Sequence, residues 1–242
     1  MLRIILCIII SVLFISCKKE KETLLEAEFS SDSFGDYRKH LLINKDSTFE
    51  LRVYDKVFDD PIKKDSLFGK VKIQQDTIYF YDSNKFFWAK KAILKNHFIE
   101  FFQDNITYKL EIIQTKLNQS QTIDYSQFPN YAVFPYFDLN DEKRFYDIST
   151  INLVKIDQLV KDEFKANSRL RAYTDYIIQV SAFLNSDDDV IVDVNLFCND
   201  IFSENGFKFS QIRMNDGGNC NVRIELNLSK NEILNTHIAG SL

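Results

Sequence analysis

The sequence is poor in the residues from which most recognisable catalytic motifs are assembled: 3 histidines, 4 cysteines and 6 glycines in 242 residues. His40, His97 and His237 stand far apart, so the paired histidines of a zinc-protease helix cannot be written. There is no CxxC, no glycine-rich phosphate loop and no GxSxG elbow. A metal or nucleophile site therefore has few candidate parts, and neither a metal nor a cofactor is expected. Basic clusters are missing too. With 30 basic against 35 acidic residues the chain carries a formal charge of -5, which argues against nucleic acid or anionic lipid headgroups as partners. The apolar run from Ile4 to Ile15, broken only by Ser11, falls short of the about 20 residues that cross a bilayer as a helix. What is present is 45% hydrophobic, 14% aromatic and 27% charged residues, the make-up of a packed globular chain rather than a disordered one.

The short apolar run follows a single positive residue, Arg3, and reads as an export signal rather than a span. It ends at Ser16, directly before Cys17, with bulky Leu13, Phe14 and Ile15 upstream. This stretch resembles the lipobox of bacterial lipoproteins, although Phe14 stands where Leu is usual and Ile15 where Ser or Ala is usual. The resemblance implies cleavage after Ser16 and acylation of Cys17 as the first mature residue. Two or three acyl chains, at about 0.8 kcal/mol per buried methylene, would anchor the chain stably. Lys18, Lys19, Glu20, Lys21 and Glu22 then begin a solvated tether similar to those of Bacteroidota lipoproteins. The expected location is a lipid anchor in the outer membrane, facing the periplasm or the outside.

Five stretches are expected: a signal over 1–16, a lipidated tether over 17–25, an antiparallel β domain over 26–117, a linker over 118–130 and an α+β domain over 131–242. The β domain is read from short apolar-alternating runs separated by turn chemistry. "HLLI" and "TFELRVY" flank "NKDS", "GKVKI" and "TIYFY" flank "QQD", and "FFWAKKAIL" and "HFIEFF" flank "KN". With "ITYKLEII" these make about seven strands, which should close into a small barrel because closure removes exposed edges. The run resembles the lipocalin-like domains of many Bacteroidota lipoproteins. Phe86, Phe87 and Trp88 could line its lumen, stack on a sugar, or simply fill a small barrel.

Polar composition, weak periodicity and Pro129 mark 118–130 as linker. Beyond it, Leu153, Ile156, Leu159, Val160 and Phe164 recur at helical spacing behind a cap residue at Asn152 or Thr150. Strands are then expected at "AYTDYIIQVSAFL", "DVIVDVNLFC", "FKFSQIRM" and "CNVRIELNL". Val190, Val192, Val194, Leu196 and Cys198 share one face, as do Cys220, Val222, Ile224, Leu226 and Leu228, the mark of a sheet with one buried side. A helix laid on an antiparallel sheet resembles the cystatin-like architecture, and fold alone does not carry function. The pair "VNLFC" and "DGGNC" resembles a recurring pattern of secreted or lipid-anchored Bacteroidota proteins to which no activity attaches.

In an exported chain whose Cys17 carries lipid and whose Cys7 leaves with the signal, Cys198 and Cys220 are expected to pair. In a simple meander they would sit at opposite ends of the sheet. Pairing therefore demands that the strand ending at Cys198 lie antiparallel beside the one starting at Cys220, with "FKFSQIRM" displaced. The alternative is two buried reduced thiols. "NSDDDV" reads as a hairpin tip rather than a calcium loop, and "NDGGN" as a tight turn rather than an anion nest.

The expected function is a non-enzymatic lipid-anchored envelope protein with a binding or accessory role. Alternatives are a lipocalin-like carrier of a small apolar ligand and a carboxylate-based hydrolase, which would need two carboxyl groups about 5 to 10 Å apart. The partners expected are the membrane, through the anchor, and either an envelope protein or a small apolar ligand.

Overall fold

The computed structural model describes residues 22–31, 36–56, 63–84, 90–103, 106–136, 144–200 and 206–240. The signal, Cys17, Phe86, Phe87 and Trp88 lie outside the described residues.

Period-two alternation builds the first unit. Its strands are β1 (Thr23–Ser31), β2 (Asp36–Asn44), β3 (Thr48–Lys56), β4 (Lys63–Gln74), β5 (Thr77–Tyr81), β6 (Lys91–Lys95), β7 (Phe98–Gln103) and β8 (Ile106–Thr115). They run as an antiparallel meander that closes when β8 pairs back on β1. The barrel has eight strands rather than the expected seven. The added strand is β1, whose first residues lie inside the stretch expected to be tether. Its Leu25 and Ala27 are buried while Glu26 and Glu28 alternate with them on the other side. Side chains fill the interior. Phe49 meets Phe80 edge-on at 5.2 Å, and Phe80 stacks on Phe101 at 5.8 Å. Gly69 leaves room for that cluster, since a Cβ there would lie 2.5 Å from the Phe49 ring.

Scarce glycine has a visible consequence in the turns. The left-handed positions that glycine usually takes are held by Ser47 (φ 61°), Gln75 (φ 56°), Asn96 (φ 51°) and His97 (φ 67°). Asn and His are among the non-glycine residues found most often in this region, whereas Ser and Gln are not.

The second unit comprises β9 (Tyr131–Val133), β10 (Arg144–Phe145), α1 (Thr150–Ala166), β11 (Tyr176–Leu184), β12 (Val190–Cys198), β13 (Asn221–Asn227) and β14 (Glu232–Ile238). Strand order is β10-β11-β12-β13-β14, all antiparallel, with β9 pairing parallel to β11. Helix α1 is capped by Ser149, one residue before the earlier of the two expected positions. Asn152 at the third helical position closes the capping box from the other side. Leu153, Ile156 and Val160 bury against Ile178, Val180, Val194 and Ile224 of the sheet.

"FKFSQIRM" is not a strand. It contains a 3-10 turn at Gly206–Lys208 and a loop held by the buried side chain of Gln179 on β11. The Gln179 amide nitrogen donates to the carbonyls of Phe207 (2.7 Å) and Ser210 (2.8 Å), and its oxygen accepts from the Ile212 backbone (2.8 Å). Its removal from the sheet lets β12 and β13 become neighbours, with Phe197 opposite Asn221. Cys198 and Cys220, next in register, form a disulfide with Cα atoms 4.7 Å apart, inside the range that bridging requires.

The two units are in intimate contact. Segment 118–130 is docked rather than free: the Asn96 side-chain oxygen accepts from the backbones of Thr122 (2.7 Å) and Ile123 (3.0 Å), and Ile123 and Phe128 are buried. Below it, Lys109 of β8 is 1% exposed and donates to Glu100 of β7 at 2.7 Å and to the Val133 carbonyl. Burial is the largest influence and opposes the Lys109 charge, but Glu100 and Tyr125 together outweigh it and hold the ammonium above its ordinary value.

Candidate functional site

The barrel seam explains the best-formed groove among the described residues. β1 and β8 pair only from Leu25 opposite Thr115 to Glu28 opposite Glu111. Beyond that point the Lys109 backbone N–H, which would otherwise continue the ladder, donates instead to the Phe209 carbonyl at 2.8 Å. The Phe209 ring packs edge-on against Phe29 at 5.0 Å and Phe98 at 6.1 Å. A loop of the second unit thus hooks over the outside of the barrel where its own strands part.

Beside this hook lies a groove of about 260 Å³. Phe98, Phe209 and Tyr125 form its aromatic floor, with Phe98 and Tyr125 edge to face at 6.1 Å. His97, Glu111 and Lys208 supply its ionisable groups. Each comes from a different element: the β6–β7 turn, the outer face of β8 and the hook. His97 is held by Gln119, whose side-chain oxygen accepts from the His97 backbone N–H (3.0 Å) and whose amide nitrogen lies 3.4 Å from Nδ1. With that amide donating to Nδ1, the proton of the neutral imidazole sits on Nε2.

Behind the groove, Tyr131 and Tyr173 both donate to Asp157 of α1, at 3.1 Å and 2.5 Å, and Lys161 pairs with the same carboxylate at 2.7 Å. Burial, and then the bond to Asp157, push the Tyr173 hydroxyl up to about 12. Burial raises Tyr131 further still. These phenols stay protonated and brace the wall of the groove against the helix.

The other stretches weighed in the sequence are structural, as read there. His40 lies on β2 with Nε2 2.7 Å from Glu26, and this bond holds the Glu26 carboxyl below its usual range. The acidic tip between β11 and β12 is claimed by cations of the chain itself, Asp189 by Lys230 (2.6 Å) and Asp188 by Arg144. Gly217 (φ 114°) and Gly218 (φ 57°) make the turn entering β13. Cys198, Asp200 and Cys220 come within ligand distance of one another, but both sulfurs are spent in the disulfide. A wider depression of about 590 Å³ beside Gln75 and Leu117 has no aromatic floor. The groove itself escaped sequence analysis. Its residues are scattered from 96 to 209, and no local pattern in the sequence joins them.

No family model, no curated protein and no solved structure matches the chain.

Proposed function

We propose that this is a non-enzymatic, lipid-anchored protein of the bacterial cell envelope that binds a small ligand in the groove between barrel and sheet. The anchoring half rests on the sequence around Cys17. The binding half rests on one observation: an aromatic-floored groove at the junction of two units, rimmed by ionisable side chains that face no opposite charge among the described residues. Small-molecule sites favour such junctions and pair an apolar lining with few polar groups. No serine, threonine or cysteine belongs to the described lining, and the His97 ring has an amide neighbour rather than a carboxylate. A Ser–His or Cys–His nucleophile pair is therefore not assembled among the described lining residues. The lumen, filled by Phe49, Phe80 and Phe101, favours the groove over a lipocalin-like carrier mode.

Two measurements test this. Cys17→Ala should release the chain from membranes or leave its signal uncut, and an unmodified Cys17 on the mature wild-type chain would refute the anchor. Titration of the isotopically labelled chain with a small-metabolite panel should move the amides of His97, Phe98, Tyr125 and Phe209. A ligand whose shifts map to Phe49, Phe80 and Phe101 instead would restore the carrier mode.

A further inference from the structure

The charges around the groove are sorted by sign. On the barrel side Glu111 of β8 stands directly opposite Glu28 of β1. Both are exposed, and neither carboxylate has a cationic partner among the described residues. Like charges facing each other across one sheet face repel, so that corner is stabilised by the arrival of a cationic group. The hook carries the opposite sign. Lys208 extends over its own neighbour, with the ammonium 5.6 Å from the Phe207 ring centroid, and it has no carboxylate partner among the described residues. The rings of Phe98, Tyr125 and Phe209 line the same groove as these two charges. Their faces and edges accept an apolar or aromatic group.

Size narrows the ligand further. About 260 Å³ is below the roughly 300 to 1,000 Å³ of pockets that enclose drug-sized molecules. The occupant is therefore one small molecule that bears both charges and an apolar group. We propose that the groove binds a single zwitterionic amino acid with an aromatic or branched apolar side chain. Its ammonium would lie against Glu111, its carboxylate against Lys208 and its side chain on Phe98, Tyr125 and Phe209. This rests on the groove being the binding site and adds the ligand class.

The test uses the full chain in detergent and four probes: L-phenylalanine, N-acetyl-phenylalanine, phenylalaninamide and glucose. L-phenylalanine should bind saturably, moving the groove amides. Each capped analogue should bind at least tenfold more weakly, about 1.4 kcal/mol, and glucose should not bind. In Glu111→Gln the preference over the acetylated analogue should vanish, and in Lys208→Met the preference over the amide should vanish. Melting temperatures no lower than that of the wild type show that both variants are folded, and relief of the Glu28–Glu111 repulsion should raise that of Glu111→Gln. Capped analogues or glucose binding in the groove as tightly as L-phenylalanine would overturn the zwitterion assignment and leave the groove standing. Absence of saturable binding by L-phenylalanine would overturn the assignment as well. Binding whose shifts map to the barrel interior would overturn both it and the groove.

Discussion

The second sheet has two covered faces, and they are held in different ways. Toward α1, the residues Ile178, Val180, Val192, Val194, Leu196, Val222, Ile224 and Leu226 form an unbroken aliphatic layer. Toward the 206–214 loop the alternate residues are mixed: Ile177, Phe183, Ile191 and Phe197 bury beside Gln179, Ser181 and Asp193, each under a tenth exposed. Gln179 is bound to the loop backbone and Asp193 to Arg223 at 2.7 Å. That polar side continues through Phe134 to the Lys109–Glu100 pair on the barrel, where the Lys109 ammonium lies 4.6 Å from the Phe134 ring centroid. An aliphatic face tolerates many partners of suitable volume. A buried polar face accepts only the partner whose groups meet its own, because each unmet group carries a desolvation cost. The helix side is held by apolar burial, and the loop side adds to its own apolar cluster of Phe134, Ile177, Phe197 and Phe207 the polar partners that select which loop and which barrel wall dock there.

The sharpest way to break this contrast is at Lys109. Lys109→Met leaves Glu100 charged and enclosed, and should cost about 3–5 kcal/mol in urea unfolding. Adding Glu100→Gln should recover most of that loss. Ile224→Ala on the helix side should cost about 2–5 kcal/mol by leaving a cavity, and no change at Glu100 should rescue it. Full independence of the Lys109 and Glu100 substitutions would mean that the pair is not enclosed. The pH dependence has a definite sign. A lysine whose folded value is raised above 10.5 contributes its stabilisation fully below 10.5 and loses it as pH climbs through the raised value. The deficit of Lys109→Met should therefore be constant near neutrality and shrink only in strong alkali.

Next in size is the disulfide. Cys198 and Cys220 are 22 residues apart, and cross-linking a loop of that length contributes roughly 3 kcal/mol in the chain-entropy model. The closed loop contains the hook, so replacing both cysteines by Ala should lower the melting temperature and also weaken ligand binding at Lys208 and Phe209. Intact mass before and after reduction checks the bond itself. Two free thiols in oxidised protein would remove the tie between disulfide and groove.

How legible this was depends on the face. The helix, its apolar stripe and the alternation of β12 and β13 stand in the sequence because burial against an aliphatic layer leaves a periodic record. The neighbouring placement of those strands followed from pairing Cys198 with Cys220. Gln179, Lys109 and Asn96 left no such record, since a buried polar residue reads as a solvated one until its partner is known. "FKFSQIRM" misled differently: Phe207 and Phe209, two apart as in a strand, do bury and Ile212 is half-buried, but against the sheet face and the barrel wall rather than in a ladder. β1 was passed over because a charged tether was expected to run into it.

A smaller effect probes the loop side directly. Gln179→Leu keeps the volume but deprives the Phe207 and Ser210 carbonyls and the Ile212 N–H of their partner. It should cost about 1–3 kcal/mol by urea denaturation. A neutral result would mean that water replaces the amide, and the loop would then be held by Phe207 and Phe209 alone.

The smallest expected effect has the opposite sign, and it separates stability from binding. His97 occupies a left-handed position at φ 67° directly after Asn96 at φ 51°, a turn in which Asn followed by Gly is the least strained choice. Holding a non-glycine residue there costs of order 1–3 kcal/mol, while glycine gives back somewhat under 1 kcal/mol through the freer unfolded chain. His97→Gly should therefore stabilise the chain by about 1 kcal/mol, since the backbone N–H bonded to Gln119 survives the change. Gln75→Gly, at φ 56° in the β4–β5 turn, should stabilise similarly and serves as the control. The two variants should part in the titration: Gln75→Gly should bind L-phenylalanine as the wild type does, and His97→Gly should bind it more weakly. Strain retained at a groove-lining histidine is explained if the imidazole acts in binding. A His97→Gly chain that is less stable than wild type would instead make the ring a structural prop for Gln119 and the docked 118–130 segment.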